Sequence, residues 1–562
     1  MNGYDIRTVS SLEKVFQKKD FHDFVPVERL SGLQGETVSF QFAFRYLENY
    51  SHFQQITQGP KSPQLTISVN DVFKDIVRIR KVGLVPVTFP ANASFDDEYL
   101  STEAGLYPDL LRSFSGTFSV IPHQWRALWI DVSIPETMKG GDYPITFDFR
   151  DIQGEAVHTA TIVLHVIAAK IPQLQLIHTE WFHADCLASY YHVPILGEEH
   201  WAIMENFIAL AVKRGCNMIL TPLFTPPLDT LVGGERPTVQ LVKVTKRQQS
   251  WTFDFSLLER WVSMCKRCGM RYFEMSHLFT QWGAKFCPKI VATVDGTDKT
   301  VFGWHTEATG NAYFAFLSAF LPRLVEELKR LGIDGDTFFH VSDEPNPLNL
   351  DSYLAAKKLV EPYLEGFPVI DALSHVEFFK KGIVERPVPT SDTFDAFLSC
   401  GFPHPWVYYC CSQDVNVPNR FMAMPSYRNR IMGLLLYRYD MEGFLHWGYN
   451  YYYSQYSRQQ IDPYQETGAL DAFPAGDSFL VYPGPDGMPE ESIRIMVQDE
   501  GLNDLRACRL LEQIKGREFV LRLLLGGRSE DFTFSSYPHS AGWLLSMRER
   551  INRAIEDAIG KR

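Results

Sequence analysis

The sequence lacks several features that would assign it to a common functional class. Its net charge is −13 and it has no long basic run, so it lacks the clustered lysines and arginines that bind nucleic-acid phosphates. No apolar run reaches the length of a membrane span. There is no P-loop and no GxGxxG after a strand-like run. We therefore expect no nucleic-acid partner, no membrane partner and no nucleotide cofactor.

The cysteines lack the spacing of a zinc site. Among the nine there is one CxxC, Cys265 and Cys268, inside a helical pattern, and one adjacent pair, Cys410 and Cys411, but no second matching pair. The first residues show no basic segment followed by an apolar one, as a secretory signal would. These observations predict a cytoplasmic protein with reduced thiols, without metal or other cofactor.

The first third of the chain has the period-two alternation of β-strands. Val38, Phe40, Phe42 and Phe44 alternate with polar or small residues, and turn residues separate this run from similar ones. With 45% hydrophobic and 22% charged residues, the 562-residue chain is globular and long enough for two or three domains. We predict a β-sandwich accessory domain over residues 1–172.

After residue 172, short apolar runs alternate with amphipathic helices. The strand-like runs are Leu174–Glu180, Asn217–Thr221, Tyr272–His277, Thr337–Glu344, Val369–Ser374, Val388–Ser391, Val407–Ser412 and Phe444–Asn450. Eight such runs, of which the sixth is weak, predict a (β/α)8 TIM-type barrel over residues 173–515. The remaining residues, 516–562, predict a C-terminal helical extension.

The fourth run ends in two adjacent acids, Asp343 and Glu344, followed by Pro345. Active sites of such barrels lie at the C-terminal ends of the strands. On a regular strand, adjacent side chains point to opposite faces, but the proline ends the ladder and allows the chain to bend. We therefore expect both carboxylates to reach one pocket, although the tetrapeptide alone is equally compatible with a turn before a helix.

Other polar and aromatic residues near the predicted strand ends are candidates for substrate contacts. They are Trp181, His277, Gln281, Trp282, Tyr409, Trp447, Tyr449 and Asn450. Indole and phenol rings suit the flat faces of sugars, although an indole at a strand end is about as often barrel packing and His277 could equally be a core histidine. In the long loop after the second strand, Asp229 and Arg236 are further candidates for substrate contacts, and they are expected to orient one another as an ion pair. Glu180 is a rival acid without a proline bend.

Five segments resemble glycoside hydrolase family 123, the bacterial β-N-acetylgalactosaminidases and their relatives, and the resemblance covers essentially the whole chain. The segments are Leu220–Thr230, Gly234–Val242, His277–Ala284, His340–Pro345 and Gly443–Asn450. The resemblance implies substrate-assisted hydrolysis of a terminal β-linked GalNAc, with retention of configuration. It further implies that Glu344 is the proton donor and that Asp343 orients the substrate's 2-acetamido group. A role for Tyr409 as a hydrogen-bonding partner of the acetamido oxygen is expected on the same basis.

Two other readings of the sequence stay open. The first is a β-glycosidase on another sugar that uses a covalent carboxylate nucleophile. The second is a carbohydrate-binding barrel without catalysis, which the intact acid pair argues against. In each case the expected partner is a carbohydrate, and a homodimer is possible.

Overall fold

A computed structural model describes residues 3–18, 26–49, 63–526 and 532–560. Its strands are β1 Tyr4–Ser10, β2 Arg29–Gln34, β3 Thr37–Tyr46, β4 Gln64–Val69, β5 Val77–Val87, β6 Gly105–Arg112, β7 Thr117–Ser119, β8 Arg126–Ser133, β9 Gly141–Asp151, β10 Ala156–Lys170, β11 Ile177–Glu180, β12 Met218–Thr221, β13 Lys243–Arg247, β14 Ser250–Asp254, β15 Tyr272–Met275, β16 Ile290–Val294, β17 Thr297–Phe302, β18 Thr337–Phe338, β19 Ile370–Ala372, β20 Arg386–Val388, β21 Trp406–Tyr408, β22 Gly443–His446, β23 Tyr482–Pro483 and β24 Pro489–Ser492. Its α-helices are α1 Ala184–Tyr191, α2 Glu198–Lys213, α3 Ser256–Cys268, α4 Asn311–Arg330, α5 Leu350–Val360, α6 Val376–Lys380, α7 Phe394–Leu398, α8 Ser426–Arg438, α9 Ile493–Lys515, α10 Arg517–Leu525 and α11 Ala541–Ile559.

The N-terminal region is rich in β-structure, as the alternating pattern predicts. One sheet has the order β1-β3-β8-β5-β6-β24-β23, and a second has the order β2-β10-β9-β4-β7. Inward-facing residues of both sheets, among them Phe42, Ile130, Phe147 and Leu164, form one buried cluster between them. The two sheets therefore pack face to face, because each has one apolar surface to bury.

The first sheet also recruits chain from far along the sequence. Strand β24 pairs with β6 in antiparallel register, with Glu491 opposite Leu111 and Ser492 opposite Leu110. Strands β23 and β24 both lie within residues 173–515, the segment that the sequence assigned to the barrel. The division into residues 1–172, 173–515 and 516–562 stays a prediction.

The second half of the chain is built on parallel strands. A six-stranded sheet has the order β18-β15-β12-β11-β22-β21, and β19 and β20 form a separate parallel pair. Single parallel bridges, Phe339 to Val369 and Thr390 to Tyr408, connect this pair to the edges of the larger sheet. Each of the eight predicted runs thus overlaps a short parallel strand, although the sixth run shares only Val388 with β20.

The continuous eight-stranded barrel stays a prediction, since the described strands form a six-stranded parallel sheet and a separate parallel pair that meet only through single bridges. Strand β18 stops at Phe338, although its apolar run continues, because the chain bends toward the acid pair. A four-stranded mixed sheet, ordered β14-β13-β16-β17 with β13 and β16 parallel, was not predicted. It is inserted in the loops after β12 and β15.

The long helix α9 packs tightly on α8. A side chain at Gly433 would meet the carbonyl oxygen of Gly501 at 1.7 Å, so glycine is required where the two helices cross. Within the described residues, no helix is long and apolar enough to cross a membrane.

Candidate active site

A cavity of about 230 Å³ opens at the C-terminal ends of the parallel strands. Its lining residues are Trp181, Leu228, Asp229, Gln281, Trp282, Asp343, Glu344, Ala372, Tyr408, Cys410, Cys411, Leu445, Trp447, Gln455, Tyr456 and Phe473. A larger cavity of about 590 Å³ lies at the opposite ends of β19 and β20 and is lined by neither acid of the pair. The smaller cavity is therefore the candidate active site, since it holds both acids at the end where barrel-like folds carry chemistry.

The chain bends at the acid pair so that both side chains line this one cavity. Glu344 has a φ of 45°, in the left-handed region, and Pro345 follows it. The backbone N–H of Trp282 donates to the carbonyl oxygen of Asp343 at 3.0 Å and fixes the bend from the neighbouring loop. The sequence argument expected an extended Glu344. The observed conformation is left-handed, but it has the expected consequence that the two acids share a pocket.

Backbone strain is concentrated in the cavity wall. Besides Glu344, three other lining residues have positive φ: Asp229 at 38°, Trp282 at 57° and Tyr456 at 61°. A non-glycine residue in this region costs on the order of 1–3 kcal/mol and persists where surrounding contacts over-determine it. Such clustering is typical of sites in which side-chain placement matters more than local stability.

The two acids retain protons above the usual carboxyl range. Burial, followed by the charge of Glu344, raises the pKa of Asp343 well above its ordinary value. Burial also raises the pKa of Glu344, while hydrogen bonds from Tyr408 and Trp282 lower it. The Tyr408 hydroxyl donates to Glu344 Oε1 at 2.8 Å. Because two close carboxylates cannot easily both ionise, the pair holds one proton over a wide pH range.

A buried charge network lies behind the acid pair. His340 Nε2 donates to Glu274 Oε1 at 2.5 Å, and His340 Nδ1 is 3.5 Å from Asp371 Oδ1. Although burial alone would lower it, the pKa of His340 is raised to about 10 by these two carboxylates. Tyr353 donates to Asp371 Oδ2 at 2.5 Å. The resulting imidazolium lowers the pKa of the nearby Asp343, against the burial that raises it.

Three indoles form much of the cavity wall, and two of them are fixed by buried carboxylates. Trp181 Nε1 donates to Glu274 at 2.8 Å, and Trp447 Nε1 donates to Asp477 at 2.9 Å. Trp282 is 40% exposed at the rim. These contacts hold the rings in place before any ligand arrives, which reduces the entropy lost on binding.

Gln281 and Asp229 supply polar groups to the wall. Gln281 Oε1 accepts from the backbone N–H of Asp229 at 2.6 Å, which fixes the amide so that Nε2 is the free donor. Gln281 is 7% exposed, and its Nε2 has no hydrogen-bond partner among the residues that the structure describes. Asp229 Oδ2 accepts from the Tyr451 hydroxyl at 2.6 Å and from the N–H of Tyr456 at 2.9 Å. Buried donors are normally satisfied, so a ligand acceptor is expected beside Gln281.

Five predicted contact residues lie behind the wall instead of in it. Tyr449 donates to the Phe207 carbonyl, Asn450 binds the backbone of His183, and His277 stacks on His340 with 4.2 Å between ring centroids.

The fourth is Arg236. It pairs with Asp185 on α1, at 2.7 Å and 2.9 Å, so the expected ion pair with Asp229 is corrected. The fifth is Tyr409, which packs on Phe444 and His446.

The cavity also contains residues that the sequence argument missed. Tyr408 is the clearest case, since side chains alternate along a strand and the residue next to the predicted Tyr409 points to the opposite face. The alternation of β21 could have identified it. Gln455, Tyr456 and Phe473 come from a long irregular segment after β22 that carries no comparable signal.

The rival acid Glu180 is excluded from the cavity wall by its contacts. It is fully buried, and Arg420 Nη1 lies 2.9 Å from both of its carboxylate oxygens. Burial raises its pKa, but Arg420, His178 and His446 outweigh that effect and lower it to about 2. Glu180 is therefore ionised at neutral pH and cannot donate a proton there.

Comparison with known proteins identifies the family. The model of the glycoside hydrolase 123 catalytic domain matches residues 181–511, which is more than half of the chain and includes the acid pair. A solved family 123 glycoside hydrolase from Clostridium perfringens, described for glycolipid glycan hydrolysis, superposes with a TM-score of 0.71 at 14% identity. The match covers 99% of this chain and 98% of that one. At this identity the superposition establishes the fold.

Weaker structural matches add nothing to the assignment. A Bacteroides fragilis protein described as a putative α-galactosidase matches 77% of this chain and 65% of its own at 8% identity and a TM-score of 0.21. The sporulation control protein Spo0M of Bacillus subtilis matches 34% of this chain and 56% of its own, at 11% identity and a TM-score of 0.14. No curated protein sequence matches the chain. On the family model and the full-length superposition, this chain belongs to glycoside hydrolase family 123.

Proposed function

We propose that the protein is an exo-acting, retaining β-N-acetylgalactosaminidase that uses the substrate's own acetamido group as the nucleophile. The observation that carries the proposal is the bend that brings Asp343 and Glu344 into one small cavity. Terminal β-linked GalNAc on glycans such as glycosphingolipid oligosaccharides is the proposed substrate. The Clostridium perfringens relative, described for glycolipid glycan hydrolysis, supports that choice.

In the first step, Glu344 protonates the glycosidic oxygen while the acetamido oxygen attacks C1. The C1–oxygen bond to the leaving group breaks, and an oxazolinium ion forms. Asp343 accepts a hydrogen bond from the acetamido N–H and balances the positive charge that develops there. Glu344 then removes a proton from water, which attacks C1 and reopens the ring with net retention. Proton transfer of this kind contributes roughly 10²–10⁴-fold to the rate.

In the free enzyme, Asp343 and Glu344 share a proton, and substrate binding can shift that proton from one carboxyl to the other. Burial and the neighbouring charge raise the pKa of Asp343, and burial raises that of Glu344, so either carboxyl can hold the proton. A substrate N–H placed against Asp343 favours its ionised form, because a donor stabilises a carboxylate. The proton then resides on Glu344, where the leaving group needs it. Binding and activation of the acid are coupled in this scheme.

The size and walls of the cavity support an exo mode of action. A volume of about 230 Å³ is below the ~300–1,000 Å³ of pockets for drug-sized ligands, so it suits one sugar ring rather than a chain. Trp181, Trp282 and Trp447 offer apolar faces to that ring. Asp229 and Gln281 offer an acceptor and a donor, which suits two ring hydroxyls. We also propose that the eight short parallel strands act together as the barrel that holds these residues.

The test is a comparison of Glu344→Gln and Asp343→Asn on 4-nitrophenyl β-GalNAc. Glu344→Gln should lose about 10²–10⁴-fold in kcat, and azide should restore turnover of this good leaving group as a β-glycosyl azide. Asp343→Asn should lose about 10²–10³-fold, as when one preorganised electrostatic group is removed. A matched Glu180→Gln variant is unsuitable as a control, because it leaves Arg420 unpaired, whereas Glu466→Gln lies outside the cavity wall and should retain activity.

An inhibitor and a set of substrate analogues distinguish this mechanism from one that uses a covalent carboxylate nucleophile. A GalNAc thiazoline, which mimics the oxazolinium ion, should inhibit strongly, and 2-hydroxy galactosides should not be hydrolysed. Hydrolysis of 2-hydroxy galactosides without thiazoline inhibition would replace the proposal with a covalent mechanism. Binding of GalNAc without turnover of any β-glycoside would replace it with a non-catalytic carbohydrate-binding function.

A further inference from the structure

The adjacent cysteines Cys410 and Cys411 both line the active-site cavity. They follow directly after β21, next to Tyr408 and its hydrogen bond to Glu344. All nine cysteines are free, and five of them are buried, whereas Cys410 and Cys411 are half-buried. Two neighbouring residues that carry thiols therefore line the same small space as the acid pair. The proposed hydrolysis uses neither of them.

The backbone that carries these thiols is held by side chains from other parts of the fold. Asn419 Nδ2 donates to the Cys410 carbonyl at 2.9 Å, and Asn92 Nδ2 donates to the Cys411 carbonyl at 2.8 Å. Gln413 Oε1 accepts from the N–H of Cys410 at 3.0 Å and lies 3.4 Å from its Sγ. Consecutive Cα atoms are about 3.8 Å apart. The two sulfurs are thus presented together on a fixed turn.

The surroundings of Cys410 favour chemistry that uses both thiols at once. A hydrogen bond with Cys411, followed by burial, raises the pKa of the Cys410 thiol well above its ordinary value. The thiolate is the nucleophile toward ordinary alkylating reagents, so Cys410 alone should react slowly with them. A ligand that bonds to one thiol, however, meets the second at high effective concentration. Soft elements with two open positions are the ligands that such a pair prefers.

We propose that Cys410 and Cys411 form a dithiol site for trivalent arsenicals in the active-site wall, and that its occupation blocks the sugar cavity. In the binding step, two S–H bonds and the arsenic–oxygen bond of the arsenical break, two As–S bonds form, and the oxygen leaves with the two protons as water. Arsenic stays trivalent, so no oxidant or reductant is required. An arsenical bridging these residues fills a cavity of about 230 Å³ and excludes a sugar ring.

The direct test is intact-mass spectrometry of the full chain after incubation with phenylarsine oxide. Wild-type protein should gain one arsenical with loss of one water. The adduct should be removed by a dithiol such as 2,3-dimercaptopropanol and should resist an equal concentration of a monothiol. Cys410→Ser and Cys411→Ser should each lose at least tenfold in affinity. The matched control is Cys400→Ser, since Cys400 is exposed, lies on no cavity wall described here and has no neighbouring cysteine.

Hydrolysis and competition complete the test. Turnover of 4-nitrophenyl β-GalNAc should fall in parallel with adduct formation in wild type and Cys400→Ser, and saturating GalNAc should slow the adduct. Serine is nearly isosteric with cysteine, so melting curves of the variants should overlay that of wild type. A dithiol-resistant adduct, or equal labelling of wild type and both serine variants, would overturn the proposal. Because the mass measurement needs no enzymatic activity, its result is independent of the proposed glycosidase function.

Discussion

His340 lies three residues before Asp343, and His446 lies between Leu445 and Trp447 of the cavity wall; both histidines are fully buried. Around His340, each ring nitrogen faces a carboxylate, Glu274 or Asp371, so both nitrogens carry protons. Around His446 the arrangement is reversed. Its Nδ1 accepts from Arg420 Nη2 at 2.6 Å, which requires a neutral ring with the proton on Nε2.

The same residue type thus has different charges on the two sides of one site. Burial and the charge of Arg420 lower the pKa of His446, whereas carboxylates overcome burial and raise that of His340 to about 10. On the His446 side, the cation is Arg420, and the Asp477 carboxylate holds the Trp447 ring by a hydrogen bond. The His340 side places its cation near Asp343. The His446 network thus mainly holds a ring in place, while the His340 network also lowers the pKa of Asp343, one of the two proposed catalytic residues.

The largest effect is expected for His340→Gln, which tests whether His340 and His446 differ in charge. Loss of the imidazolium leaves Glu274 and Asp371 buried without their cation, which should cost about 3–5 kcal/mol of unfolding free energy. It should also move the acidic limb of the pH profile of kcat/KM to higher pH, because a positive charge that lowers the pKa of Asp343 is lost. Urea unfolding and the pH profile measure the two effects.

His446→Gln is the matched control. The lost hydrogen bonds include the one from the charged Arg420 guanidinium, but Arg420 keeps its ion pair with Glu180, so the cost should be about 1.5–3 kcal/mol, and the pH profile should keep its limbs. Equal costs for the two variants, with equal shifts of the profile, would show that the histidines do not differ in charge.

The pH dependence of stability sharpens the same distinction. The pKa of His340 is raised from 6.5 to about 10, so its contribution to stability is complete below pH 6.5 and is lost as the pH rises through about 10. The difference in unfolding free energy between wild type and His340→Gln should therefore shrink between these limits. Urea unfolding at pH 6, 8 and 10 would measure it. A constant difference would argue for a neutral His340.

Tyr353→Phe probes the far end of the His340 network more gently. It removes the hydroxyl that donates to Asp371, and a hydrogen bond to a charged group contributes about 1.5–3 kcal/mol. Chemical unfolding should show a loss in this range, with the ring still packed in the core. Tyr313→Phe, which removes a hydroxyl bonded to the neutral Leu278 carbonyl, is the control and should cost less.

The smallest effect is expected for Tyr408→Phe, which acts on the other acid. The Tyr408 hydroxyl lowers the pKa of Glu344, so its removal should raise that pKa and move the alkaline limb of the profile to higher pH. Folding should be little changed, because the ring is retained. An unchanged alkaline limb with a moved acidic limb would reassign the hydrogen bond's effect to Asp343.

The parallel strands and most helices were within reach of sequence reasoning because their signals are local. The run ending in Glu180 contains β11, and helices lie between most of the parallel strands, as the alternating pattern predicts. Helix α1 was missed, since it is short and irregular in pattern. The sheet of β13, β14, β16 and β17 was missed because α3 and β15 separate its two strand pairs in the sequence.

In the candidate site too, some features were predictable from the local sequence and others were not. Pro345 marked the bend at the acid pair, since a proline constrains its predecessor wherever the chain goes. Tyr449 and Asn450 were placed in the site from their position after β22, yet they bond to Phe207 and His183 behind it. Nothing in their local sequence distinguishes the two faces.

The sequence by itself determined roughly where each parallel strand lies and where the acids follow, because alternation, helical periodicity and proline act over a few residues; the family was indicated by the resemblance of five longer segments. Only the tertiary structure decided the partner of Arg236, the proton on His340 and the thiols beside Glu344. Charge states and cavity walls depend on groups that are distant in the chain and close in space, and a carboxylate 2.5 Å away outweighs any local preference of a histidine.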